Sequence, residues 1–109
     1  MIDHAEALAA VLSHEPVPAE QVVAGQPTTG SVALGTFAGR EYGVWEMSPG
    51  AMSDVEVDEL FVVVAGGGRI EFADGSARVE LLPGSVGRFD AGTATVWTVT
   101  ETLRKIYLA

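Results

Sequence analysis

The chain has 109 residues, 48% of them hydrophobic, carries a formal net charge of −9 and contains no cysteine. That length supports one domain with a single core. Six Lys and Arg residues against 15 Asp and Glu argue against nucleic acid or an anionic membrane as partner, and the lack of cysteine excludes disulfides, thiolate chemistry and Cys-ligated zinc.

In chain order, residues 3–13 read as a short helix. Asp3 stands in a capping position with Glu6 three residues on, and Ala5, Leu8, Val11 and Leu12 follow helical spacing along one face. Pro16 and Pro18 end that pattern. Val22, Val23 and the turn-rich stretch from Gly25 to Gly30 lead into a region of strands and turns. Strands are expected over 31–37, 41–47, 51–57, 59–64, 69–73, 78–82, 85–89, 94–100 and 103–108, broken at Ala38-Gly39, Ser48-Pro49-Gly50, Gly66-Gly67-Gly68, Asp74-Gly75, Pro83-Gly84 and Ala91-Gly92. Asp74-Gly75 suits a type I′ hairpin turn, in which both central residues take positive φ. The three glycines 66–68 lack the Lys-Ser/Thr pair and following helix of a phosphate loop, and so read as another hairpin turn. Short strands so evenly spaced suit a sandwich or barrel. No stretch reaches the roughly 20 apolar residues of a membrane span. No basic region followed by an apolar run opens the sequence, so a cytoplasmic location is expected.

The order of these pieces resembles a small cupin. Glu59 to Gly66 (ELFVVVAG) matches the end of the first cupin motif, a glutamate, six residues and a glycine. Gly84 to Gly92 matches the second, with Asp90 in place of its proline. Gly43 to Gly50 (GVWEMSPG) and the tail from Thr95 to Tyr107 are similar to the small cupins related to ureidoglycine aminohydrolase. The resemblance covers roughly residues 30–109. It implies an all-β, RmlC-like antiparallel β-barrel or jelly roll over 30–109, preceded by the helix and lead-in segment of 1–29, and association into a homodimer. It also defines what is missing. Metal-binding cupins carry two histidines shortly before the glutamate and a third on a later strand, whereas here those positions hold Ser53 and Val55, or Met52 and Asp54, and then Thr95. His4 and His14 lie far upstream and read as surface residues. The expected protein has no metal and no other cofactor.

Candidate site residues follow from strand alternation. Glu59 shares a face with Phe61 and Val63, and if that face is inward it is a candidate catalytic acid/base or ligand anchor. The alternative is a strand-start carboxylate reached by water or tied to an inward Arg or Lys. Trp45 and Trp97 are candidate walls of a ligand pocket or simple core residues, and Phe61, on the face of Glu59, and Thr95, on the face of Trp97, are candidate ligand-binding residues beside them. Either Lys105 with Tyr107 or Arg104 points inward, and the resemblance favours the former pair beside the pocket. Asp54, Glu56 and Asp58 fall opposite Val55 and Val57, and form a solvated outer face if the valines look into the barrel. The expected function is metal-independent binding of a small, partly polar molecule, with proton-transfer chemistry of the isomerase, epimerase or cyclase kind. The alternatives are a non-catalytic cupin that senses a ligand or binds a partner, and a metal-dependent cupin enzyme.

Overall fold

The computed structural model describes residues 4–109, and the regular secondary structure there is entirely β. The strands are β1 (Glu15–Pro16), β2 (Val22–Ala24), β3 (Thr28–Phe37), β4 (Arg40–Met47), β5 (Gly50–Val55), β6 (Glu59–Phe72), β7 (Arg78–Leu81), β8 (Val86–Phe89) and β9 (Ala94–Leu108). All pair antiparallel.

The frame is one long ribbon. β6 and β9 run 14 and 15 residues and pair from Leu60↔Leu108 to Phe72↔Thr95. At one end β9 adds β4 and β6 adds β8; at the other β9 adds β5 and β6 adds β7. The ribbon therefore belongs to two sheets. Their inner side chains mix in one core, with Met47, Val63, Phe61, Phe89 and Leu103 from the first packed with Met52, Ile70, Leu81, Trp97 and Val99 from the second. This is the expected curled all-β barrel.

The ribbon can serve both sheets because it changes register at its middle, between Val63 and Gly68. This corrects the expectation of a hairpin turn at Gly66-Gly67-Gly68, for the glycines lie inside β6. Gly66 has φ +77°, and a Cβ there would collide with the Thr102 carbonyl of β9, as one at Gly68 would with the Thr98 carbonyl. Glycine here permits close strand approach at a bulge. The expected strands 59–64 and 69–73 are one strand, as are 94–100 and 103–108.

The type I′ geometry falls at Ala38-Gly39, where both residues have positive φ (52° and 76°) between paired Phe37 and Arg40. At Asp74-Gly75 a hairpin does form, but only Gly75 has positive φ. Its N–H donates to the Phe72 carbonyl, while Asp74 Oδ1 accepts from Ser76 N–H at 2.8 Å.

No helix forms over residues 4–13, where the sequence pattern predicts one; its capping residue Asp3 lies outside the described residues. One turn forms, in which Ala9 and Ala10 N–H both donate to the Glu6 carbonyl. The carbonyls that would extend it are taken from below. Arg104 Nη1 donates to Ala7, Leu8 and Ala10 carbonyls at 2.7, 3.3 and 2.6 Å. A helix this short is marginal without packing, and Leu8 and Val11 of its intended apolar face are exposed. A buried guanidinium in need of acceptors prevails. Among the described residues no helix is long and apolar enough to cross a membrane.

Candidate functional site

Cross-strand register assigns the inner face. Trp45 on β4 lies opposite Lys105 on β9, and Phe61 and Val63 on β6 lie opposite Tyr107 and Lys105. Glu59 starts β6 opposite Phe89. Lys105 and Tyr107 thus look inward, while Arg104 takes the outer face opposite Glu46. Arg104 is buried too, at 8% exposure, because the N-terminal segment lies over it.

The lower barrel is packed with Met47, Met52, Phe61, Phe89 and Trp97. Above them a cavity of about 290 Å³ opens at the mouth, lined by Trp45, Trp97 and Tyr107, by Asp54, Glu56 and Glu59, by Lys105 and Ser31, and at its rim by the exposed Val55 and Val57. That volume suits a metabolite-sized occupant, at the lower end of ligand cavities.

The acidic stretch faces opposite to the expected way. Asp54 pairs with Thr95, and Met52 with Trp97, so Asp54 shares the inner face, while Val55 is 66% exposed and Val57 58%. β5 ends at Val55, and Glu56 then bonds to the 92–93 turn: its N–H donates to the Thr93 carbonyl and its carbonyl accepts from Gly92 N–H. The break in alternation brings both Glu56 and Glu59 to the cavity. Only Asp58 of the expected outer group stays outside, where Oδ1 accepts from Ala91 N–H.

Lys105 fills the centre. Its Nζ donates to Glu59 Oε2 at 2.5 Å and stands 4.7, 4.9 and 5.0 Å from the ring centroids of Trp45, Trp97 and Phe61. Three aromatic faces and one carboxylate hold a cation that is only 4% exposed. Glu59 is accordingly the carboxylate tied to an inward lysine. Glu56 has no such partner. Burial first, and then the charge of Asp54, push its carboxyl up to about 7, with Lys105 pulling the other way. Its Oε2 is buried without a hydrogen bond. Tyr107 donates its hydroxyl to Glu41 Oε2 at 2.8 Å, and burial followed by that bond pushes it up to about 12.

Of the other residues expected in the site, Trp45 and Trp97 form a wall with centroids 5.3 Å apart. Phe61 lies beneath, stacked on Phe89 at 5.2 Å. Thr95 is buried below the cavity and does not line it. Among the described residues, Thr95 Oγ1 and Trp97 Nε1 have no hydrogen-bond partner, like Glu56 Oε2. Asp54 and Glu56 are what sequence reasoning missed, although the density of charge at 54–59 was the signal.

On the outer face, Arg104 Nε donates to Glu46 Oε2 at 2.8 Å, and His14 bridges Glu46 Oε1 and Thr28 Oγ1, each at 2.7 Å. Burial raises the Glu46 carboxyl, but the hydrogen bonds from Arg104 and His14 outweigh it and hold the group below its usual value. His14 is therefore a partly buried structural residue rather than a surface one, while His4 is exposed.

The residues do not fit a cupin metal. The motif positions hold Ser53, Val55 and Thr95, or Met52 and Asp54, and the motif glutamate already binds an ammonium at 2.5 Å. Among the described residues no group of three or more His, Cys, Asp or Glu is arranged to hold a metal ion.

Comparison with curated proteins returns no match. Solved structures share the fold. A protein of unknown function from Pseudomonas syringae pv. tomato superposes with a TM-score of 0.77 at 23% identity, over 92% of this chain; the chain spans 44% of that protein. The EutQ protein of Clostridium difficile gives 0.64 at 21% identity, covering 75% of this chain and 67% of its own. The ethanolamine utilization protein Q of Salmonella typhimurium gives 0.64 at 14% identity, covering 92% and 97%. The profile of the EutQ-like cupin domain matches residues 34–107, from β3 through the inner-face residues of β9, and the chain belongs to that cupin family.

Proposed function

We propose that this cupin binds a small, partly polar molecule in the barrel mouth and moves a proton on it without a metal. The observation that carries the reading is Glu56, which lines an aromatic-walled cavity with its Oε2 buried and without a hydrogen-bond partner, so that burial and the charge of Asp54 push its carboxyl up to about 7. Near neutral pH such a group exists in both forms, so it can take a proton from one atom of a ligand and return it to another. An isomerisation, epimerisation or cyclisation of that kind balances with no co-reactant. Glu59, the sequence candidate for catalysis, acts here with Lys105 as a fixed ion pair that orients the ligand and sets the local field, against the walls of Trp45, Trp97 and Tyr107. Within the family, the resemblance of Gly43–Gly50 and of the tail through Tyr107 supports a place near the ureidoglycine aminohydrolase-like cupins, and the two segments pair as neighbouring strands that carry Trp45, Lys105 and Tyr107 to the cavity.

The second reading is a cupin that senses a ligand without transforming it, favoured by the solid packing of the lower barrel. One experiment separates the two. Trp45 and Trp97 are the only tryptophans and both line the cavity, so their emission reports entry from a panel of metabolite-sized cationic, neutral and anionic compounds. Proton NMR of each binder in deuterated buffer then follows exchange or conversion. Turnover lost in Glu56→Gln and in Glu59→Gln supports the catalytic reading; a binder recovered unexchanged supports the sensor.

We propose a homodimer as well. Among the described residues, the edge of β3 opposite β4 has no strand beside it from Ser31 to Phe37, since β1 pairs only Thr28 and Thr29, and Val32, Leu34 and Phe37 there are exposed. An open edge of this length invites pairing with a second copy. A monomer mass in light scattering at micromolar concentration removes this proposal.

A further inference from the structure

We propose that a second copy of this chain docks on the outer face of the sheet, the N-terminal segment of each lying as a ridge in a groove of the other. This rests on the homodimer reading and gives the pair a contact apart from the β3 edge. The groove follows from register. On the face opposite Phe61, Lys105 and Tyr107, one row runs through Ile106, Val62 and Val86 across β9, β6 and β8. The next row runs through Tyr42, Leu108 and Leu60 across β4, β9 and β6. Phe37, 68% exposed, joins them from β3. Together they line a groove of about 630 Å³, more than twice the cavity of the barrel mouth. An antiparallel sheet with one wetted face alternates apolar and polar residues. Here both faces are apolar, as in a sheet that is covered on each side.

The same chain carries the matching ridge. Arg104 pins residues 7–10 to this outer face, one row along β9 from Ile106. Leu8 on that segment is exposed, and Val11 is 97% exposed. Ridge and groove are therefore neighbours along the strands of one face. A two-fold axis in the plane of contact, running across the strands, sets each ridge over the other copy's groove, so the complementary surfaces are used twice. Charge favours the same occupant. The two groove rows contain no Asp or Glu, although the chain has 15. Arg88 continues the Leu60 row, and Arg40 lies across from Phe37. Among the described residues Arg40 is the one Arg or Lys without an ion pair. The ridge supplies a carboxylate to that rim in Glu6, which is exposed. Two chains of net charge −9 repel each other least where acidic residues are absent.

Cross-linking tests the arrangement, since the chain has no cysteine of its own. Val11→Cys and Leu60→Cys proteins are mixed and treated with a short bis-maleimide. A covalent dimer containing one of each is expected, with neither variant linking to itself. Linking within either variant alone, or no linking in the mixture, overturns the ridge-in-groove contact. Sedimentation gives the second measurement. Val11→Asp and Leu60→Asp change exposed positions and leave the fold intact, and each should weaken self-association about tenfold or more by placing a charge in the contact. A parent protein that sediments as a monomer removes the homodimer reading and this contact together. An assembly unchanged by Val11→Asp or by Leu60→Asp overturns this contact alone, and its loss in Leu34→Asp then leaves the β3 edge as the interface.

Discussion

Replacing Glu56 with glutamine should make the protein more stable, and only above a defined pH. The folded state holds the Glu56 proton up to about pH 7, against an ordinary value of 4.5. Between those limits the folded protein binds more protons than the unfolded chain, so this group costs stability as pH rises from 4.5 and exacts its full cost above about 7. At about 1.4 kcal/mol per pH unit the ceiling is about 3 kcal/mol. Water at the cavity mouth screens that to about 1–2 kcal/mol. For a chain of 109 residues this corresponds to about 4–8 °C in Tm. The assay is thermal unfolding of both proteins from pH 4.5 to 8.5. The Tm difference between Glu56→Gln and the parent should open through that window, with the variant higher at the alkaline end. Any pH-independent effect of the new amide cancels in the comparison. Asp54→Asn, which removes the second cause of the raised value, should move the window to lower pH. A Tm difference that stays constant with pH would falsify the placement of Glu56 as an unpaired buried carboxyl.

Three further outcomes are expected. Purified protein should carry well under one equivalent of iron, manganese, nickel or zinc, and chelation should leave Tm unchanged, because the motif positions lack histidine and Glu59 is held by Lys105; a stoichiometric ion that survives dialysis restores the metalloenzyme alternative. Arg104→Met should cost about 3–5 kcal/mol, because Glu46 stays buried without its cation, and hydrogen exchange should speed up at Ala9 and Ala10 as the segment pinned by Arg104 comes loose; unchanged protection there refutes the pinning. Gly66→Ala should cost at least about 1–3 kcal/mol, through positive φ and the clash with the Thr102 carbonyl, whereas Gly75→Ala, at an open turn with room for a Cβ, should cost less in denaturant melts; equal costs would show that strand approach is not what Gly66 serves.

Local chemistry determined much of this protein from the sequence alone. Alternation within one strand is a backbone property, so the inward set Glu59, Phe61 and Val63 and the shared face of Thr95, Trp97 and Val99 were legible without partners. So was the all-β character, written in evenly spaced turn residues and short β-branched runs. What failed, failed where a distant residue decides. The glycines at 66–68 look like a turn in one dimension and are a bulge because β9 crosses them. Residues 4–13 carry a helical pattern, but Arg104, some 95 positions away, claims their carbonyls. The parity from Asp54 to Glu59 breaks where β5 ends and Glu56 bonds to the 92–93 turn, so carboxylates assigned to solvent enter the cavity. Face assignment also needs an origin, and only the register of β5 against β9 shows which side of the strand is inside. The same holds for the charge of the site. A sequence lists three carboxylates and a lysine, but only tertiary structure decides that Lys105 neutralises Glu59 and leaves Glu56 to hold its proton, because pairing and desolvation act over a few ångströms between strands far apart in the chain.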